Sequence, residues 1–141
     1  MSIKSTRHTV YDIKYHIVWV PKYRKEILTK EVQKRVKEIF QEIAKQYEFE
    51  IEAMEIMPEH VHIFLGALPR YSPSEIVNVL KGISSRKVFE EFPWIKQYLW
   101  AGEFWSDGYF VRTVGDKVTT ELIKRYIKYQ HQTSPQQREL F

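Results

Sequence analysis

Two strand-like runs, residues 49–56 and 60–67, are separated only by Met57-Pro58-Glu59. A connection that short predicts an antiparallel hairpin, because parallel neighbours need a long crossover. Residues 9–20, Thr-Val-Tyr-Asp-Ile-Lys-Tyr-His-Ile-Val-Trp-Val, alternate and are rich in β-branched and aromatic side chains, which predicts a further strand stopped by Pro21. Tyr11, Ile13, Tyr15, Ile17 and Trp19 share one face of that strand, and Asp12, Lys14, His16 and Val18 the other.

Helical spacing links these runs. Val32, Val36, Ile39, Phe40, Ile43 and Ala44 form an apolar stripe over residues 30–46, with Thr29 as the N-cap. Ser72-Pro73-Ser74-Glu75 combines a capping serine, a first-turn proline and a glutamate three residues after the cap. The helix it starts is expected to bury Ile76, Leu80 and Ile83 and to display Lys81, Ser84, Ser85, Arg86 and Lys87. Residues 104–114 are expected to contain a fourth strand, and a final helix should run from about residue 118 to 130, ending before Pro135. The order strand, helix, strand, strand, helix, strand, helix predicts an α+β fold. It is the ferredoxin-like, RRM-like split βαβ arrangement: a four-stranded antiparallel sheet, two packed helices and an extra C-terminal helix. Residues 1–141 read as one domain, with no repeat or linker.

Within this frame, His60 and His62 flank Val61 on a strand, so both imidazoles can face one metal ion while Val61 turns into the core. Tyr126 and Gln130 lie four apart on the last helix and share a face. Gln130 can supply a third, oxygen ligand, leaving positions on a divalent ion where phosphate oxygens bind and are polarised. The four residues together can perform a metal-assisted attack of tyrosine on a phosphodiester. Each also has a plainer reading. His-x-His on a half-exposed strand suits two hydrogen-bonded surface histidines, and Tyr126 lies in a Leu122, Ile123, Tyr126, Ile127 stripe that suits core packing. Tyr129 is the competing hydroxyl.

Composition narrows the partners. The chain has 141 residues and no cysteine, so a metal must be held by nitrogen and oxygen, which suits magnesium, manganese or zinc. No apolar run approaches the ~20 residues of a membrane span and the N-terminus lacks a signal-peptide core, so a cytoplasmic protein is expected. Of the net charge of +4, residues 1–30 carry +5 and the rest −1. That basic segment fits a polyanion partner as well as a solvated surface. Residues 94–110 are dense in aromatics that could stack unpaired bases, and the rings from Trp105 to Tyr109 are expected to be the exposed ones. Arg86 and Lys87 could meet phosphate.

The chain resembles the small single-tyrosine HUH transposases of compact insertion sequences, the IS200-like transposase family. The similarity rests on Tyr15-His16-Ile17-Val18-Trp19-Val20-Pro21-Lys22-Tyr23-Arg24, on Met57-Pro58-Glu59-His60-Val61-His62, and on Ser74-Glu75-Ile76-Val77 with Leu80-Lys81-Gly82. It continues through Tyr109-Phe110 and Thr113-Val114-Gly115 and closes on Tyr126-Ile127-Lys128-Tyr129-Gln130. The resemblance implies that His60, His62 and Gln130 bind Mg²⁺ or Mn²⁺ and that Tyr126 attacks the scissile phosphate of single-stranded DNA. A 5′-phosphotyrosine and a free 3′-hydroxyl would result, with no nucleotide cofactor. It further implies a homodimer that recognises hairpins at element ends, making Lys22 and Arg24 DNA contacts. Two rival readings are a domesticated relative without transposition activity and an RRM-like single-stranded nucleic-acid-binding protein; a third is a phosphoesterase that uses water.

Overall fold

In a computed structural model, residues 4–5, 9–22, 27–98, 103–113 and 127–128 are described. Two antiparallel sheets are present among them. Strands β1 (Lys4–Ser5) and β2 (Val10–Tyr11) form a small ribbon. Strands β3 (Lys14–Trp19), β4 (Glu50–Ile56), β5 (Val61–Gly66) and β6 (Phe110–Thr113) form the main sheet in the order β4-β5-β3-β6. The single strand expected over residues 9–20 is therefore two. Val10 and Tyr11 pair back onto Lys4 and Ser5, and the chain breaks at Asp12-Ile13, where the Ile13 carbonyl accepts from Ala67 N–H at 3.2 Å. The split βαβ expectation holds, with the hairpin β4–β5 closed by residues 57–60.

Helices α1 (Lys30–Tyr47) and α2 (Pro73–Glu91) cover one face of the sheet. Thr29 caps α1 through Val32 N–H, and Ser72 and Glu75 form the reciprocal capping box of α2. Between helices and sheet lie Ile17 and Trp19 of β3, Val61, Ile63 and Leu65 of β5, Phe40 and Ile43 of α1, and Ile76 and Leu80 of α2, all essentially inaccessible. Burying a large aliphatic or aromatic side chain contributes roughly 1.5–3 kcal/mol, so this layer holds the sheet in register.

The inner face of α2 is more polar than its apolar spacing suggests. Ser84, expected at the surface, is fully buried, and its hydroxyl accepts from Trp105 Nε1 at 2.9 Å. Trp105, expected among the exposed rings, is itself only 5% accessible. It packs edge-on against Trp19 and Phe104, while Trp94 and Tyr98 of the 3-10 turn Pro93–Tyr98 are the exposed aromatics among the described residues. Lys81 is also turned inward. Its ammonium donates to the carbonyls of Ser106 and Gly108 at 2.9 and 2.7 Å, and burial brings its pKa down to about 8. Gly108 has φ of +86°, a conformation only glycine adopts without strain. These bonds anchor the segment that leads into β6.

Candidate active site

The alternation of β5 places Val61, Ile63 and Leu65 toward the helices and His62 and Phe64 on the uncovered face. Register then collects the rest. His62 stands opposite Val18 of β3 and Glu55 of β4; His16 stands opposite Phe64 on one side and Arg112 of β6 on the other. Directly opposed residues of antiparallel strands share a face, so three strands contribute to one polar patch beside β4.

The histidines interact directly. His16 Nδ1 lies 3.0 Å from His62 Nε2, and the His16 ring stacks on Phe64 with centroids 4.6 Å apart. Burial holds the His16 pKa below its ordinary value. The same cause dominates at His62, assisted by the neighbouring His16 and His60 and opposed by Glu55. Both are therefore neutral near pH 7, the protonation state in which imidazole can ligate a metal.

A second regularity concerns the other ring nitrogens. His60 Nδ1 is 3.2 Å from Glu59 Oε1, and His62 Nδ1 faces Glu55 Oε1 at 3.9 Å. At His60 a donated Nδ1–H would leave the lone pair on Nε2, whereas at His62 the carboxylate of Glu55 stands beyond hydrogen-bond reach and acts on the ring through its charge. Among the described residues no three histidine or acidic side chains are grouped to hold a metal ion, so His60 and His62 would need a further ligand from outside them.

Tyr126, its competitor Tyr129, and Gln130 lie outside the described residues, as does Arg24. The remaining basic residues singled out from sequence are placed as follows. Lys22 is ion-paired with Glu103 at 2.9 Å, Lys87 is paired with Glu42 at 3.2 Å, and Arg86 is exposed on α2. Sequence reasoning missed Arg112, Glu55 and Glu59 as members of the site. Glu59 adjoins His60 in the chain and was open to notice; Glu55 and Arg112 become neighbours of the histidines only through strand register.

Fold and site define a class: a split βαβ protein that presents His16 and His62 from adjacent strands on its uncovered sheet face, with His60 immediately before the second of them. Residues 9–130 match the family described as "Transposase IS200 like". The ISDra2 transposase TnpA of Deinococcus radiodurans is 39% identical over 131 residues, 93% of either chain. The transposase for insertion sequence element IS200 of Salmonella typhimurium is 37% identical over 127 residues, covering 90% of this chain and 82% of that one. A crystal structure of a candidate transposase from Deinococcus radiodurans superposes with a TM-score of 0.83 at 41% identity, covering 91% of this chain and 98% of its own. A REP-associated tyrosine transposase bound to a REP hairpin shares the fold, with a TM-score of 0.55 at 16% identity over 92% and 70% of the two chains. The chain belongs to the IS200-like transposase family. Among the described residues, no helix is long and apolar enough to cross a membrane.

Proposed function

We propose that this transposase cleaves and rejoins single-stranded DNA at the hairpin-bearing ends of an insertion sequence through a tyrosine-linked intermediate. The observation that carries the reading is the contact of His62 with His16 on the uncovered sheet face, with His60 just before the same strand and its Nδ1 against Glu59, in a chain of this family. His60 and His62, with Gln130, would hold Mg²⁺ or Mn²⁺. When bound, the ion supplies positive charge to the phosphate oxygens, the electrostatic work that dominates phosphoryl transfer.

The chain's own groups do the rest. The Tyr126 oxygen bonds to phosphorus and loses its proton, while the bond from phosphorus to the 3′ oxygen breaks and that oxygen leaves as a hydroxyl. A 5′-phosphotyrosine remains, and attack on it by a 3′-hydroxyl restores a phosphodiester, so no nucleotide cofactor is consumed. Arg112, on the face of His16, is suited to orient a phosphate through its planar fork of donors. Tyr126 acts within a homodimer, from the same chain or from the second copy.

The test is a covalent-adduct assay with labelled single strands from the DNA flanking the gene, in the presence of manganese or magnesium, read on denaturing gels. The expected adduct needs metal, disappears in Tyr126→Phe and persists in Tyr129→Phe. Hairpin binding without any adduct would assign a domesticated or binding-only protein instead. Metal-dependent cleavage without an adduct would assign water as the nucleophile.

A further inference from the structure

None of the chemistry proposed so far uses Lys81, yet its surroundings are unusual for a lysine. It lines a cavity of about 510 Å³, open to solvent, together with Asn78, Ser85, Trp105, Asp107 and Tyr109. Its Nζ is held by the carbonyls of Ser106 at 2.9 Å and Gly108 at 2.7 Å and lies 5.9 Å from the centre of the Trp19 ring. An unprotonated amine has two N–H groups to give, so the two carbonyls satisfy it and leave its lone pair unused. The third N–H of an ammonium has no hydrogen-bond acceptor among the described residues. Asp107 and Glu103 face Lys81 from the segment before β6 and favour the ammonium, Glu103 being tied as well to Lys22; burial outweighs them and brings the pKa to about 8. Tyr109, across the cavity, is the other titratable side chain of the lining. At pH 7 about a tenth of such an amine is unprotonated, against ~0.04% for an ordinary lysine.

We propose that Lys81 is an acylation site, taking the acyl group of a small thioester that enters this cavity. The inference goes beyond the strand-transfer reading and does not rest on it. The cavity has the volume of a small-molecule site, and its one amine is aimed and partly stripped of water. In the step, the unprotonated Nζ attacks the thioester carbonyl carbon, a C–N bond forms and the C–S bond breaks. The proton shed by nitrogen passes through cavity water to the departing thiolate, and nothing is oxidised or reduced. A thioester suits the site better than an acyl phosphate, because Asp107 and Glu103 repel an anion carried beside the reacting carbon. The amide product keeps a single N–H, so Lys81 can no longer hold both carbonyls. Ser106 stays fixed, since its N–H and hydroxyl both donate to the Val20 carbonyl, at 3.0 and 3.1 Å. The Gly108 carbonyl has no other donor among the described residues, so the loss falls there. Gly108 stands two residues before β6, which sets Arg112 opposite His16, and acylation thus loosens the edge strand beside the histidines.

The experiment incubates the full chain with the acetyl thioester of N-acetylcysteamine, an uncharged probe, between about pH 6.5 and 9.5 and follows acetylation of each lysine by peptide mass spectrometry. At pH 7 Lys81 is expected to react about tenfold faster than the exposed Lys34, Lys37 and Lys45, the larger gain in free amine being offset in part by its lower basicity and narrower access. Its rate should level off above about pH 8 while theirs keep climbing. A Lys81 rate no greater than theirs, or one that still climbs at the top of the range, would overturn the proposal. The lead should vanish in concentrated urea, where every lysine regains its ordinary pKa; a lead that survives unfolding would put its cause in the local sequence and sink the assignment to the cavity. On the acetylated chain, hydrogen exchange across residues 109–113 should quicken about fivefold with the β4–β5 hairpin unchanged. Unaltered exchange there would refute the loosening of β6.

Discussion

The seam between α1 and α2 and the uncovered face of the sheet are both polar, yet they are organised oppositely. At the seam, Arg35 meets three carboxylates, and these contacts lower the pKa of Glu42 and Glu91 and raise that of the guanidinium. Every charge is solvated and matched, so the network links the helices without committing any group to chemistry. On the sheet face a few half-buried groups share few bonds, and burial keeps His16 and His62 uncharged. The seam tolerates loss because water replaces what is removed. The sheet face does not, because its nitrogens are aimed and partly withdrawn from water.

The largest break in this contrast is expected from His62→Ala. On the metal assignment proposed above, strand cleavage should fall about a hundredfold or more. The thermal midpoint should move little, since the ring lies outside the helix-covered core. A large drop in midpoint with activity scaling alongside would show that the imidazole is structural.

His16→Phe sharpens the comparison. The His62 Nε2 lone pair can accept from His16 or ligate a metal, not both at once, and phenylalanine keeps a ring against Phe64 while deleting the competing nitrogen. Manganese binding measured by calorimetry should tighten about fivefold, the worth of one net hydrogen bond of roughly 1 kcal/mol. Weaker binding would mean that His16 holds His62 in place for the ion or joins it as a ligand.

Arg35→Gln is expected to have the smallest effect. It removes the centre of the seam, but exposed ion pairs contribute at most about 1 kcal/mol each and salt screens them. Chemical denaturation should show a small loss that shrinks further at high ionic strength, with cleavage unchanged.

How much of this was legible in the sequence follows from how local each signal is. Alternation marked β3, β4 and β5 and set His16 and His62 on the sides of their strands that face away from the core. The capping box announced α2 at Ser72, and Thr29 announced α1. Such signals lie within a few residues of the structure they specify. Ser84 and Lys81 were misplaced because their partners, Trp105 and the carbonyls of Ser106 and Gly108, lie more than 20 residues away in the chain. A polar residue on the inner face of a helix looks exposed until its distant acceptor or donor is known. The ring of Trp105 was misread for the same reason. Glu55 and Arg112 needed the strand register, which no single strand contains.

The central position of β3 has a consequence for how the protein comes to exist. The strand is made early in synthesis, yet both its neighbours come later: Val18 waits for His62, and Tyr15 waits for Thr113. The β4–β5 hairpin, by contrast, can close as soon as it is made, with little chain entropy to overcome. A growing chain thus holds a sticky, unpaired strand with its tryptophan until the hairpin emerges, and even then its second edge stays open until β6 arrives. The imidazole pair needs only β3 and β5, so the sheet does not have to be complete for the two rings to meet.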